Sequence, residues 1–263
     1  MSEQITPENY FRRSDYMSNS QYRMFLQCPE MALAVTSGAW DYPQTEDMKA
    51  GSYADVMLTE PDKVEAWKAA NPDIISSRGP TKGQVKAKYK TVQDAVEKVE
   101  ATPEALAMLQ GPDVENQTVL TGEIAGVPWK GLVDAINHKT RSIVDLKCMA
   151  NLSEDKWNGS ERVPWYVAWG YWRQAAIYRE LARQMYGEEY TFHLLAVSKE
   201  SPPDLRGYEM KGAGAYRTEI RTIEANMPHI MAIKSGDVEA DMCGNCSYCR
   251  VNKPFKIEIA EYA

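Results

Sequence analysis

The stretch GLVDAINHKTRSIVDLKC, residues 131–148, sets Asp134, Asp145 and Lys147 within otherwise apolar runs. Strand interiors disfavour aspartate, and buried charge is costly unless something compensates it. A turn centred between Lys139 and Thr140 places Asp134 opposite Asp145. Like charges facing each other ~5 Å apart at Cβ destabilise a strand pair. With a strand period of two, Asp145 and Lys147 share one face while Leu146 points the other way, into the core. Two converging carboxylates beside an ammonium suit a divalent cation such as Mg²⁺ or Mn²⁺, because hard cations take oxygen ligands. A solvent-facing strand with a plain Asp–Lys pair is the alternative reading of the same spacing.

These residues need a sheet and helices to position them. From Gln117, the runs QTVLTGEIAG, VPWKGLVDAIN and RSIVDLKC predict an antiparallel meander. Residues 163–187 predict one long, aromatic-rich helix closed by Gly187, then a strand over 190–198 and a helix over 215–236. Upstream, residues 18–35 predict a helix capped near Ser18–Ser20, and residues 50–61 a second one ending towards Pro61. A basic loop over 77–90 feeds a third helix from about Thr91, and Lys82, Lys86, Lys88 and Lys90 read as a solvated face rather than a phosphate patch. Strands flanked by helices give a mixed α/β (α+β) class. The expected organisation is a single domain over 1–263. Residues 1–115 are its mainly helical front, 116–236 its core and 237–263 a Cys-bearing tail.

A second chemical group lies in DMCGNCSYCR, where Cys243, Cys246 and Cys249 fall within seven residues. In a reducing compartment such spacing points to a metal or cluster site more than to disulfides, and zinc or free thiols are the alternatives. Cys148 follows Lys147 on the opposite strand face and reads as a small core residue. His138, His193 and His229 show no ligand spacing, and Glu123 reads as a solvated strand position. No Ser-His-Asp grouping or phosphate-binding loop appears.

Composition narrows the class. Apolar residues make up 44% and charged residues 25% of 263, as in ordinary globular proteins. The N-terminus lacks the basic-then-apolar layout of a signal peptide and no apolar run is long enough to span a membrane, so a cytoplasmic location is expected. A net charge of −7 argues against a wholesale nucleic-acid coat, though not against a locally basic groove.

Asp134 followed by the D-x-K of Asp145–Leu146–Lys147 resembles the core of the PD-(D/E)XK nuclease superfamily. Alone, D-x-K is a weak signal. Gln174 and Tyr178, in QAAIY, resemble the Q-x-x-x-Y motif of the RecB-like branch, and Ser18, Ser20, Phe25, Cys28 and Pro29 match its N-terminal pattern. The combination is specific, spans roughly residues 18–250, and is most similar to phage-type RecE-like (exodeoxyribonuclease VIII-like) exonucleases. One departure is GSYADVMLTEP, where Asp55 stands at the position of that branch's metal-binding histidine.

The resemblance implies a restriction-endonuclease-like core, a central mixed sheet flanked by helices. It implies a Mg²⁺- or Mn²⁺-dependent exonuclease, working 5′→3′ on linear double-stranded DNA in phage recombination. The partner would be a RecT-like annealing protein, and the assembly a homo-oligomeric ring. Metal ligands would be Asp134, Asp145, the Leu146 carbonyl and, through oxygen, Asp55. Lys147 would position the attacking water, and Gln174 and Tyr178 would hold the site and contact phosphate. Cys28 with Cys243, Cys246 and Cys249 resembles the 4Fe–4S staple of several RecB-like nucleases, including CRISPR-associated ones. A single-strand nuclease of that type, or an inactive DNA-binding subunit, are the competing expectations.

Overall fold

The computed structural model describes residues 4–257. Strands β1 (Val114–Ile124), β2 (Val127–Asn137) and β3 (Ser142–Met149) form the antiparallel meander that the sequence predicts. A small separate hairpin follows, β4 (Lys156–Trp157) with β5 (Arg162–Val163). β6 (Thr191–Ser198) then lies parallel to β3, and β7 (Leu205–Glu209) pairs antiparallel with β6. The resulting mixed sheet has the order β1-β2-β3-β6-β7.

In chain order the helices are α1 (Asn19–Gln27), α2 (Pro29–Thr36), α3 (Glu46–Thr59), α4 (Val64–Ala70) and α5 (Ala87–Glu100). They continue with α6 (Pro103–Leu109), α7 (Trp165–Ala168), α8 (Tyr171–Tyr186), α9 (Ala213–Ser235) and α10 (Ser247–Asn252). Parallel pairing of β3 and β6 requires a crossover, and α8 lies within it. Side chains of β6 alternate between two buried layers. Phe192, Leu194 and Ala196 join the core shared with α1, α8 and α9, while Leu195 and Val197 join that of α3, α5 and α6. The sheet is thus covered on both faces, which explains its continuous apolar runs.

Two helices expected as single units are divided. Pro29 begins α2 because it lacks the N–H to continue α1, and it holds Cys28 in an extended conformation at φ −161°. The predicted helix over 163–187 breaks at Gly170, whose φ of +74° is left-handed, and ends at Gly187 as expected. α5 begins at Ala87 rather than near Thr91. Among the described residues, no helix is long and apolar enough to cross a membrane.

Candidate active site

β2 and β3 pair as Asn137–Ser142, Ile136–Ile143 and Ala135–Val144, the register expected from the turn. The ladder stops one step before Asp134 and Asp145 would face each other. Beyond that point the Asp134 side chain replaces the missing main-chain partner: its Oδ2 accepts the Leu146 N–H at 2.7 Å. On the other side of β2, the ladder with β1 has no pair at Gln117, which has φ +50°. Val133 and Ile136, three apart, both enter the same core layer, so β2 departs from strict alternation around Asp134. The irregularity opens the sheet where the charges sit.

Asp145 is 2% exposed. Gln174 Nε2, from α8, donates to its Oδ1 at 2.7 Å. Lys147 Nζ lies 2.6 Å from its Oδ2, yet that oxygen receives no hydrogen bond. Lys147 also donates to the Leu146 carbonyl at 3.0 Å. Asp55 of α3 lines the cleft with Leu146 and Lys147, near enough for the charges of Asp134, Lys147 and Asp145 to act on it. Burial and the charge of Asp134 push its carboxyl well above the usual range, with Lys147 acting the other way. Burial and Asp145 raise Asp134 to about 6, while Leu146 N–H and Gln117 hold it down. Burial by itself would lower Lys147, but Asp145, Tyr171, Asp134 and Asp55 raise it well above the lysine range.

Three carboxylates against one ammonium leave an excess of negative charge in a poorly solvated place. Asp145 Oδ2, which receives no hydrogen bond, the Leu146 carbonyl and the carboxylates of Asp134 and Asp55 are oxygen donors of the kind a hard divalent cation takes. Asp55 therefore does stand with Asp134 and Asp145, although it is not the histidine of the resembling branch.

Tyr178 is buried one turn beyond Gln174 and lies against Gly131. A Cβ at Gly131 would come within 2.7 Å of the Tyr178 ring, so the glycine makes room for the aromatic. Lys147, Trp169 and Tyr171 line both parts of an open cleft. One part, of about 470 Å³, also reaches Asp47, Asp55, Leu146 and Lys199. The other, of about 250 Å³, reaches Asn19, Arg23, Gln174 and Tyr178.

Several of these residues escaped the sequence reading. Gln117 carries no motif, and its role depends on an unusual backbone angle. Tyr171 and Trp169 lie in the aromatic-rich run 163–187 and carry no motif of their own. Lys199 lies just past β6 and pairs with Asp47 at 3.1 Å. Elsewhere, Glu123 is exposed on β1, and His138 bonds Tyr190 at 2.6 Å. Lys88 pairs with Glu46 at 2.8 Å on an exposed face. Cys148 packs on the α3–α5 side of the sheet, where burial pushes its thiol up to about 12.

At the far end of α1, Cys28 meets Cys243, Cys246 and Cys249, and one sulfur from each lies within 4.8 Å of the others. Cys28 Sγ is 3.5 Å and Cys243 Sγ 3.9 Å from Cys249 Sγ. Main-chain N–H groups of Cys243, Cys246 and Cys249 each point at a sulfur of the group at 3.4 Å. Backbone donors at Asn245 and Cys246 lower the Cys243 thiol to about 6, whereas burial raises Cys28, and Cys249 to about 12. Such a set of thiols could bind a metal.

Comparison with curated proteins gives no match. The crystal structure of a "Putative exonuclease" from Eubacterium rectale superimposes with TM-score 0.90 at 29% identity, covering 98% of this chain and 97% of that one. The crystal structure of SSO0001 covers 91% of this chain and 98% of that one at 15% identity, but its TM-score of 0.35 carries no argument. A family model described as "PDDEXK-like domain of unknown function (DUF3799)" matches residues 18–252. With its mixed sheet and the D-x-K strand beside Asp134, the chain belongs to this PDDEXK-like family, within the PD-(D/E)XK nuclease superfamily, and its fold supports nuclease activity.

Proposed function

We propose that the protein is a metal-dependent DNA exonuclease. The observation that carries this reading is the convergence of Asp55, Asp134 and Asp145 around Lys147 at the opening of the β2–β3 ladder. Asp55, Asp134, Asp145 and the Leu146 carbonyl would hold Mg²⁺ or Mn²⁺. Such an ion, when bound, lowers the pKa of water and polarises a phosphoryl oxygen. Lys147 keeps a positive charge beside the place where negative charge grows on the scissile phosphate. Gln174 fixes the orientation of Asp145. Tyr178, buried against Gly131, lines the smaller part of the cleft and would help hold the site and contact phosphate. Action 5′→3′ on linear duplex DNA, and work beside a RecT-like annealing protein in recombination, rest on the RecE-like resemblance.

For the cysteines we favour a single tetrahedral ion, of which Zn²⁺ is the usual example. Thiolates ~2.3 Å from one tetrahedral ion lie roughly 3.8 Å apart, close to the 3.5 and 3.9 Å spacings seen. A 4Fe–4S core holds its four thiolates on four separate irons and spreads them wider. The ion would tie the segment after α9 to the α1–α2 junction.

Digestion of linear plasmid with and without Mg²⁺, using wild type, Asp145→Ala and Lys147→Ala, tests the nuclease reading. Wild type should cut only with metal and both variants should be inactive. Undiminished cutting by Asp145→Ala would reject the site, and folded wild type that cuts nothing would favour a DNA-binding subunit. End-labelled duplex and single strands decide polarity and separate the single-strand alternative.

A further inference from the structure

We propose that Trp169 is a base-stacking platform that makes the cleft a site for an unpaired DNA strand, with Lys199 and Arg23 holding the phosphates on either side of the one beside Lys147. The inference rests on the reading of that cleft as a nuclease centre.

Trp169 is 44% exposed. Large aromatics are normally covered, and an exposed one in a polar cleft offers an unused ring face. Trp169 stands where the two parts of the cleft meet, lining both together with Lys147 and Tyr171. Its neighbours brace it. Trp165 is buried and packs edge-to-face on Trp169 at 6.2 Å and on Tyr171 at 5.5 Å between ring centres. Lys147 Nζ lies 5.5 Å from the centre of the Tyr171 ring. The left-handed Gly170 separates the two aromatics, ending α7 on Trp169 and starting α8 on Tyr171. Its φ of +74° lies in the left-handed region that favours glycine, which makes the break local to this residue. The ring is therefore presented on a rigid support.

Positive groups extend from this platform in both directions. Lys199 lies in the larger part, at the C-terminal end of the parallel β3–β6 pair. Arg23 lies in the smaller part, exposed on α1 and without an ion-pair partner among the described residues. Lys199, Lys147 and Arg23 are thus three cations along the cleft, the first two already paired with Asp47 at 3.1 Å and Asp145 at 2.6 Å, so a phosphate held there displaces a carboxylate. Aromatic faces combined with a basic groove are how proteins hold single strands without reading sequence. The two parts of the cleft hold about 470 and 250 Å³ on either side of Trp169. The hairpin β4–β5, packed on α7, carries Trp157 at 64% exposure, a second exposed aromatic next to the first.

The test measures fluorescence anisotropy of three labelled DNAs in buffer without added Mg²⁺ or Mn²⁺ and without chelator, which leaves a cysteine-bound metal in place: a single strand, a blunt duplex and a duplex with a single-stranded overhang. The full-length protein is compared with Trp169→Ala and Trp169→Phe. Loss of one stacked base weakens binding about tenfold or more. Trp169→Ala should show this loss on the single strand and the overhang, with little change on the blunt duplex, and Trp169→Phe should restore most of it. Equal binding of all DNAs by wild type and Trp169→Ala overturns the proposal, as does an equal loss on blunt duplex. Should Trp169→Ala fail to fold, photocrosslinking of an iodouracil-bearing single strand to wild type decides. Adduct on the peptide containing Trp169 supports the platform, and adduct elsewhere rejects it. If the platform is found but metal restores no cleavage, the nuclease reading fails alone. Metal-dependent cleavage with an indifferent Trp169 leaves the nuclease reading standing and removes the platform.

Discussion

Asp134 Oδ2 accepts the backbone N–H of Leu146 at 2.7 Å, closing with a side chain the gap where the β2–β3 ladder ends. One carboxylate thus serves the fold and faces the candidate site. Asp134→Ala would leave a poorly solvated N–H without its acceptor and cost about 1–3 kcal/mol. Asp134→Asn keeps an acceptor oxygen and should stay close to wild type in urea unfolding. Both variants should lose nuclease activity, so stability and activity separate within one position.

The acidity of the site sets a pH dependence. Asp134 is raised to about 6, so its folded pKa exceeds the unfolded value and ionisation opposes folding. Without metal, its contribution to stability is greatest below the unfolded carboxylate pKa and is lost as pH rises through about 6. Metal binding requires the ionised form, so affinity should rise across the same interval. Thermal unfolding from pH 4.5 to 7.5 should show Mg²⁺ adding little at the acid end and most at the neutral end. A metal effect independent of pH would contradict this.

Gln174 fixes Asp145 through one hydrogen bond of 2.7 Å. Gln174→Met keeps similar bulk and removes the donor. Partners that orient ligands typically matter about 10- to 100-fold in metal affinity or activity. The expected result is a higher Mg²⁺ requirement with unfolding little changed, read from a metal titration of the cleavage rate.

Gly131 and Tyr178 form a matched pair, because a methyl group at 131 would meet the ring at 2.7 Å. Gly131→Ala should destabilise by about 1–3 kcal/mol through overpacking. Tyr178→Leu in the Gly131→Ala background should recover part of that loss, as contacting residues do not add independently. A double variant as unstable as the sum of the two singles would show that the contact is not the cause.

Removal of one thiol tests the cysteine group. Cys28→Ser and Cys249→Ser should each release the bound metal and lower the melting temperature. Elemental analysis should find zinc at one per chain in colourless wild type. A visible absorption band with iron and acid-labile sulfide would instead establish the cluster.

The charge pattern of Asp134, Asp145 and Lys147 was legible in the sequence because strand periodicity and a short turn fix which residues meet. The turn register held for all three pairs in the ladder. Local signals also placed the Ser18 cap, the Gly187 stop and the three meander strands. Proline and glycine breaks at Cys28–Pro29 and Gly170 were written in the sequence too, but periodicity across them was strong enough to hide them.

Tertiary structure decided the rest. Gln117 reaches Asp134 only because β1 takes a left-handed angle there, which no local rule assigns to glutamine. Asp55 joins the carboxylates because α3 packs over the open end of β3, and Lys199 because β6 runs parallel beside it. Cys28 meets three cysteines more than two hundred positions away through the packing of the α1–α2 junction on the chain beyond α9. A sequence fixes which side chains share a strand or helix face through backbone periodicity. Which faces come together is set by burial of the apolar layers on both sides of the sheet, and that is a property of the whole chain.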